Sequence, residues 1–271
     1  MHMIAKTIDI WENIDYAYKG DGFVPTLDTY ILKGEKKRPA VLICPGGGYR
    51  HTSPREAEAI ALQFTRVGYH SFVLYYSVAP RRHPQPLLDL ARSMTIIREN
   101  AEEWNVDAGK IAVCGFSAGG HLAASLGVHW NKSYLFKQEG IKEGWTKPNL
   151  LILSYPVITE GEFAHKGSFE NLLGSDASKE QREEMSIEKQ VGVQMPPAFI
   201  WHTFEDSSVP VENSLLLAKA MREKNIPFEM HIYPDGVHGL SLATEETDIV
   251  QEGVETWMDL CINWLKREFA K

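Results

Sequence analysis

Between Ile111 and Leu126 the chain reads IAVCGFSAGGHLAASL. The apolar run before Gly115 predicts a buried strand, and the alanine- and leucine-rich run after the glycines predicts a helix. Ser117 lies on the tight turn between the two, where its hydroxyl is exposed above the end of the strand. Gly115 and Gly119 let strand and helix approach closely, because a Cβ at either position would clash. The start of the helix places backbone N–H groups beside developing negative charge, so Ser117 is a candidate nucleophile.

Strand-like and helix-like patterns alternate on both sides of this turn. Short apolar runs predict buried strands at Pro39–Cys44, Tyr69–Tyr76, Lys110–Cys114, Leu150–Tyr155 and Ala198–Trp201, with a strand nearer an edge at Phe228–Tyr233. Apolar residues at three- and four-residue steps predict helices within 60–67, 87–104 and 250–265. Pro210, just after Ser207 and Ser208, predicts the first turn of a further helix that runs to about Lys224. Such alternation predicts an α/β fold with a mostly parallel, doubly wound sheet and helices on both faces.

Length and composition limit the possible classes of protein. The 271 residues are 44% hydrophobic, which argues for a folded globular chain. The net charge of −8 argues against a nucleic-acid partner, which would meet a basic face. No apolar run approaches the roughly 18 residues of a membrane span, and the first eleven residues lack a secretory signal, so no membrane partner is expected. Three dispersed cysteines indicate reduced thiols and a cytoplasmic location.

One segment, residues 159–194, breaks the alternation. It has no strong core periodicity, and its charged part from Ser178 to Met185 predicts a short exposed helix. In an open α/β sheet, an irregular insert after the carboxyl end of a strand lies where ligands bind. We therefore expect one domain over residues 1–271, in which this insert is either a lid or substrate-contacting element or a passive surface excursion.

A serine hydroxyl needs a base to become a good nucleophile. His238 lies in a Pro- and Gly-rich loop between the last predicted strand and the last helix, on the same edge of the sheet as Ser117. His202 ends a strand on that edge and is the main alternative. His121, four residues after the serine, turns away with its helix and is expected to pack or to form hydrogen bonds.

A carboxylate would fix the tautomer of the histidine and stabilise its imidazolium. The loop from His202 to Pro210 offers Glu205 and Asp206, and we favour Asp206 because it lies just before a predicted helix start. A helix-capping role for Asp206 is the alternative.

Three glycines follow an earlier predicted strand, in Pro45-Gly46-Gly47-Gly48-Tyr49. Consecutive glycines let backbone N–H groups turn toward a ligand, and a tetrahedral oxyanion needs such donors. The backbone N–H groups of Gly47, Gly48 and Ala118 are therefore the candidate oxyanion donors. No Gly-Lys-Ser/Thr follows, which argues against a nucleotide-binding loop.

Together these elements resemble the α/β-hydrolase superfamily from about Pro39 onward, including its chain order of serine, acid and histidine. Finer motifs are similar to bacterial carbohydrate esterases of the acetyl-xylan-esterase type, which are related to the hormone-sensitive-lipase branch. These motifs are PGGGY at 45–49, YSVAP at 76–80, HPQP at 83–86, GFSAGGHL at 115–122, WHT at 201–203 and VPVENS at 209–214. The chain departs from the pattern at Pro45, where the lipase branch usually has histidine, and at Glu205.

The resemblance implies that Ser117 is the nucleophile, His238 the base and Asp206 its orienting acid, with the oxyanion donors as above. It also implies removal of short acyl groups, chiefly acetyl, from sugar hydroxyls through an acyl-enzyme. The expected partner is a small ester, an acetylated saccharide, and no metal or organic cofactor is expected. Rival functions are a general short-chain carboxylesterase, a prolyl-oligopeptidase-like peptidase and a non-catalytic ligand-binding α/β-hydrolase.

Three aromatic residues are expected on the active edge of the sheet and are the candidate substrate-binding residues: Tyr49, Tyr76 and Trp201. Aromatic rings can stack on sugar rings, although such residues are also common in cores and walls.

Overall fold

A computed structural model describes residues 3–271 of the chain. Within them, eight strands form one sheet in the order β1-β2-β4-β3-β5-β6-β7-β8. The strands are β1 (Met3–Asp9), β2 (Thr26–Leu32), β3 (Arg38–Cys44), β4 (His70–Tyr75), β5 (Val106–Phe116), β6 (Leu150–Ser154), β7 (Ala198–Thr203) and β8 (Phe228–Tyr233). β2 pairs antiparallel with β1 and β4, and all other neighbours are parallel. The predicted, mostly parallel sheet is confirmed.

The helices cover both faces of the sheet. They are α1 (Glu58–Arg66), α2 (Gln85–Glu99), α3 (Ala118–His129), α4 (Lys166–Leu173), α5 (Lys179–Glu184), α6 (Ile187–Gln190), α7 (Glu212–Glu223) and α8 (Trp257–Glu268). Apolar side chains of α1 and α8 pack on one face, and those of α2, α3 and α7 pack on the other. None of the helices in the described range has the length and apolar character that a bilayer crossing requires.

The second half of the central strand β5, from Ile111 to Phe116, carries no polar side chain and is buried throughout. Ile111 and Val113 point into the core on the α2–α3 face, while Ala112, Cys114 and Phe116 point into the core on the α1–α8 face. Because successive side chains of a strand point to opposite faces, a strand covered by helices on both sides needs apolar residues at every position.

Two helices differ from the predicted ranges. The C-terminal helix begins at Trp257, seven residues later than the apolar steps suggest, and Val250 is 65% exposed in the turn before it. The helix predicted to reach Trp104 ends at Glu99, and the indole of Trp104 packs against Phe72 with ring centroids 5.6 Å apart. A residue beyond a helix end can still bury its side chain in the same core, so periodicity overestimates helix length.

The segment 159–194 lies between β6 and β7 and carries α4, α5 and α6. Ser178 and Gln181 form a reciprocal capping box at the start of α5, a helix with no buried residue, as the charged sequence predicts. Phe169 and Ile187 of the same segment are buried in the core beside α3. The segment is therefore anchored by apolar packing.

Two buried histidines of α3 hold this segment. His121 is hydrogen-bonded through Nδ1 to the Tyr49 hydroxyl and through Nε2 to the Met185 carbonyl, both at 2.8 Å. His129 Nε2 lies 3.3 Å from the carbonyl oxygen of Glu184. Burial lowers the pKa of both imidazoles to about 4, so both are neutral in the folded protein at neutral pH.

These histidines predict a pH-dependent stability. The pKa of His121 is lower in the folded than in the unfolded chain, so unfolding takes up a proton between about pH 6.5 and 4. When the pH is lowered from 7.5 to 5, the free energy of unfolding should therefore fall in the wild type by about 1–2 kcal/mol more than in His121→Gln. Urea unfolding at both pH values measures this difference. His51→Gln, which alters an exposed histidine, is the control, and equal losses in wild type and His121→Gln would contradict the account.

Candidate active site

The turn between β5 and α3 holds Ser117 in a strained conformation. Its φ of +53° and ψ of −118° fall outside the regions that non-glycine residues usually adopt. A Cβ at Gly115 would lie 2.1 Å from the Gly119 carbonyl oxygen, and a Cβ at Gly119 would lie 2.1 Å from that of Cys44. The Ser117 N–H donates to the Ser154 carbonyl at 3.0 Å, which fastens the turn to β6.

The structure brings Ser117, His238 and Asp206 together in one hydrogen-bonded relay. The Ser117 hydroxyl lies 2.8 Å from His238 Nε2, and His238 Nδ1 lies 2.6 Å from Asp206 Oδ2. Both are within the distance that proton transfer between a nucleophile and its base requires. Asp206 is 4% exposed and the serine 6% exposed, whereas the imidazole, at 21%, reaches the surface. The arrangement can deprotonate a serine that faces a solvent-accessible space.

Asp206 is held as a carboxylate. Burial opposes its ionisation, but hydrogen bonds from His202 and His238 outweigh that cost and hold the pKa of Asp206 well below its usual range. Its Oδ1 also accepts the N–H groups of Ser208 at 3.0 Å and Val209 at 2.9 Å. Oδ1 thus holds the loop that leads to α7, while Oδ2 orients the histidine. The alternative role as a helix cap is not observed, because α7 begins at Glu212 without a side-chain cap.

The two other candidates in this loop have different positions. His202 is fully buried, with Nδ1 2.8 Å from the Ser214 hydroxyl and Nε2 2.8 Å from the Val209 carbonyl, so it supports the loop from below. Glu205 accepts the Gly236 N–H at 3.3 Å and stays outside the relay. The structure therefore favours Asp206 over Glu205 and His238 over His202 as relay members.

The glycine loop after β3 lies beside Ser117. Gly47 has a φ of +120°, and a Cβ there would lie 2.2 Å from the His51 carbonyl oxygen. Over residues 3–271, the N–H groups of Gly47, Gly48 and Ala118 donate to no protein acceptor. The loop is held from outside: Asn171 Nδ2 of α4 donates to the Gly48 carbonyl at 2.8 Å. The loop thus offers unpaired donors at the cleft.

The three predicted substrate-binding aromatics do not face the cleft, and this expectation needs correction. Tyr49 is 1% exposed, and Tyr76 and Trp201 are fully buried. The polar atom of each ring forms a hydrogen bond inside the protein. The Tyr49 hydroxyl is hydrogen-bonded to His121, and the Tyr76 hydroxyl donates to the Pro45 carbonyl at 2.6 Å. The indole N–H of Trp201 donates to the Ser154 hydroxyl at 2.7 Å. Large rings at strand ends pack beneath the loops because the core there still needs filling.

A cleft of about 420 Å³, lined by polar residues and glycines, opens in front of the relay. Its walls come from the glycine loop, from residues 50–56, from the loop around His238 and from the insert, which contributes His165, Gly167 and Asn171. Sequence reasoning missed His165, Asn171 and Glu56 as cleft residues. The insert itself was a signal for the first two, but no motif marked the individual side chains.

Two family models and several known proteins are similar to this chain. The BD-FAE family model matches residues 27–221, and the dienelactone hydrolase family model matches residues 176–269. The chain is 42% identical over 243 residues to endo-1,4-beta-xylanase B of Butyrivibrio fibrisolvens, covering 88% of this chain and 38% of that protein. It is 31% identical over 211 residues to an acetylxylan esterase of Xylanibacter ruminicola, covering 76% and 42%. The chain thus spans about two fifths of the length of these relatives.

Two solved structures are similar over nearly the whole chain. A bifunctional acetyl ester-xyloside hydrolase of Caldicellulosiruptor lactoaceticus is 39% identical with a TM-score of 0.87, covering 97% of this chain and 96% of that one. A carboxylesterase of Lactobacillus plantarum is 25% identical with a TM-score of 0.79, covering 99% and 98%. The overall fold is therefore similar over nearly the whole chain.

The relay predicts selective covalent labelling of one serine. A fluorophosphonate should phosphonylate Ser117, because its hydroxyl lines the cleft and is hydrogen-bonded to a histidine that Asp206 orients. Asp206→Asn should slow labelling by about 10³-fold or more, because the histidine loses its orienting carboxylate. Intact-protein mass spectrometry measures the rate. Ser117→Ala should remain unlabelled, Ser125→Ala on the same helix should label normally, and labelling of Ser117→Ala would contradict the assignment.

Proposed function

The chain belongs to the BD-FAE family of α/β-hydrolases, and from this membership we propose that it is a serine esterase that removes acetyl groups from saccharides. The observation that carries the proposal is the Ser117–His238–Asp206 relay, which opens on a cleft lined by unpaired backbone N–H groups. This is the arrangement that acyl transfer requires: a nucleophile, an oriented base and donors for an oxyanion.

The proposed reaction consists of two acyl transfers. His238 takes the Ser117 proton as the hydroxyl oxygen attacks the ester carbonyl, and the oxyanion is stabilised by the N–H groups of Gly47, Gly48 and Ala118. When the intermediate collapses, the carbon–oxygen bond to the sugar breaks, and the imidazolium protonates the leaving sugar oxygen. Water then repeats the sequence on the acyl-enzyme and releases acetate.

The hydrogen-bonding side chains of the cleft support a sugar as the alcohol part of the ester. Arg50, His51, Asn171 and other polar residues line it, and such walls suit hydroxyl groups better than alkyl chains. Among the similar proteins, the acetylxylan esterase and the acetyl ester-xyloside hydrolase are named for acetyl esters. We propose that the 159–194 insert contacts the substrate, because the side chains of His165 and Asn171 lie in the cleft wall.

A general short-chain carboxylesterase is the second candidate, favoured by the similarity to the Lactobacillus plantarum carboxylesterase. We also propose a reducing, cytoplasmic working environment. The three cysteines are unpaired and buried, and burial raises the pKa of each thiol above its usual value.

Substrate comparison tests the proposed activity. The wild type should release acetate from an acetylated xylo-oligosaccharide and hydrolyse an aryl acetate. It should turn over an aryl octanoate slowly, because the residues that line the cleft include no large apolar side chain to pack on an alkyl chain. Ser117→Ala should lose both acetyl activities by about 10³-fold or more with its unfolding midpoint unchanged, and Ser125→Ala should keep them. Turnover of the aryl acetate without any acetate release from the saccharide would support the carboxylesterase instead.

The oxyanion assignment has its own test. Gly47→Ala should lower kcat by about 10²-fold or more, because the added Cβ meets the His51 carbonyl at 2.2 Å and displaces the loop donors. Gly167→Ala is the matched control in the same cleft, since its Cβ would meet nothing closer than His165 at 3.8 Å. Steady-state kinetics on the aryl acetate measure both. A Gly47→Ala enzyme with normal kcat would exclude this loop as an oxyanion donor.

A further inference from the structure

We propose that Glu56 is a positioning residue of the active site, which fixes the glycine loop and places a second negative charge beneath His238. This inference rests on the proposed acyl transfer through Ser117. Glu56 ends a 3-10 turn (Pro54–Glu56) and lies at the floor of the cleft, where it is 4% exposed.

The carboxylate of Glu56 is directly attached to the glycine loop. Its Oε2 accepts the Gly46 N–H at 2.7 Å. A Cβ built on Gly46 would lie 2.7 Å from this oxygen and 3.0 Å from the Ser117 Cβ, so Gly46 packs closely against both the carboxylate and the nucleophile. The hydrogen bond therefore fixes the loop at the residue that precedes the proposed oxyanion donors.

The second carboxylate oxygen reaches the other side of the site through Tyr155. Oε1 accepts the Tyr155 hydroxyl proton at 2.6 Å, and the same hydroxyl oxygen accepts the Ser241 N–H at 2.9 Å. The Tyr155 ring lies edge-on to the His238 imidazole, with centroids 5.1 Å apart. One network thus joins the glycine loop, the end of β6 and the loop that carries the histidine.

The charges around Glu56 point to a role beyond packing. Burial raises the pKa of Glu56 above its usual value, although the hydrogen bonds from Tyr155 and Gly46 and the positive charges of His238 and Arg55 act in the opposite direction. Both carboxylate oxygens accept a hydrogen bond from a donor, which is the pattern of the ionised form. Tyr76 and Cys114 also face it, and burial raises their pKa values well above the ordinary ones, so both are neutral at working pH. No cation of the described residues lies within 4 Å of Glu56 to form an ion pair.

A buried carboxylate without an ion pair is costly, and neutral residues of similar volume would be cheaper for packing. The cost is offset when His238 becomes an imidazolium, because a new positive charge then faces both Asp206 and Glu56. His165 also faces His238, and burial together with His238 lowers the pKa of His165, so it adds no competing positive charge at neutral pH. Glu56 therefore favours the charged state through which both acyl transfers pass.

The test compares two buried carboxylates, and it distinguishes an effect of the Glu56 charge on the active site from a purely structural role of the side chain. Glu56→Gln keeps the shape and removes the charge. Asp89→Asn does the same to a fully buried carboxylate remote from the relay, which accepts from Trp11, Ser77 and Gln85. The pH dependence of kcat/KM on an aryl acetate and the pH dependence of fluorophosphonate labelling are measured for both variants.

Glu56→Gln should lower kcat by about 10-fold or more with KM within about threefold, and it should move the acidic limb of both profiles to lower pH by about half a unit or more. The direction follows because removing a negative charge makes protonation of the imidazole less favourable. Glu56→Asp, which keeps the charge, should lower kcat but leave the limb near its wild-type position. Asp89→Asn should lower the unfolding midpoint and leave the limb unchanged.

Two outcomes would overturn the inference: an unshifted acidic limb in Glu56→Gln, or an equal shift in Asp89→Asn. If Glu56→Gln does not fold, a shifted limb in Glu56→Asp would count equally against it. Fluorophosphonate labelling and aryl acetate hydrolysis measure the reactivity of the relay without a sugar. A failure to deacetylate saccharides would therefore disprove the proposed substrate, but it would not affect the test of Glu56.

Discussion

The strained backbone of Ser117 is the constraint on which the rest of the site depends. A residue with a φ of +53° at the end of a central strand survives only where its surroundings hold it. Here Gly115 and Gly119 let α3 contact the carbonyl of Cys44, so that β3, β5 and α3 meet within van der Waals distance. The glycine loop follows β3 directly. The same close packing therefore exposes the serine and places the proposed oxyanion donors beside it.

The sheet could be predicted from the sequence because its strands are buried on both faces. Such strands appear as uninterrupted apolar runs, as at Leu150–Ser154, and their order along the chain leaves few parallel topologies. The relay residues could be proposed because strand ends of a parallel sheet share one edge. Helix ends were less predictable from the sequence. Val250 lies before the start of α8 and Trp104 lies after the end of α2, although both continue the apolar spacing of their helices.

What the sequence could not reveal was which polar or aromatic side chains turn inward. Tyr49, Tyr76 and Trp201 have residue types that suit a sugar site, yet the space beneath the loops takes their rings. Glu56 looks like an ordinary acidic residue at the start of an amphipathic helix. Its burial depends on Gly46 and Tyr155, which lie 10 and 99 residues away in the chain. Such placements follow from tertiary contacts that no local pattern encodes.

The hydrogen bond from Asn171 to the Gly48 carbonyl has a consequence for how such enzymes diversify. The insert that forms a cleft wall also holds the glycine loop, whose N–H groups are proposed to stabilise the oxyanion. Evolutionary changes in the length or sequence of α4 would therefore alter substrate preference and turnover rate at once. Relatives with new specificities should then carry compensating changes in the glycine loop, because the hydrogen bond couples the position of this loop to that of α4.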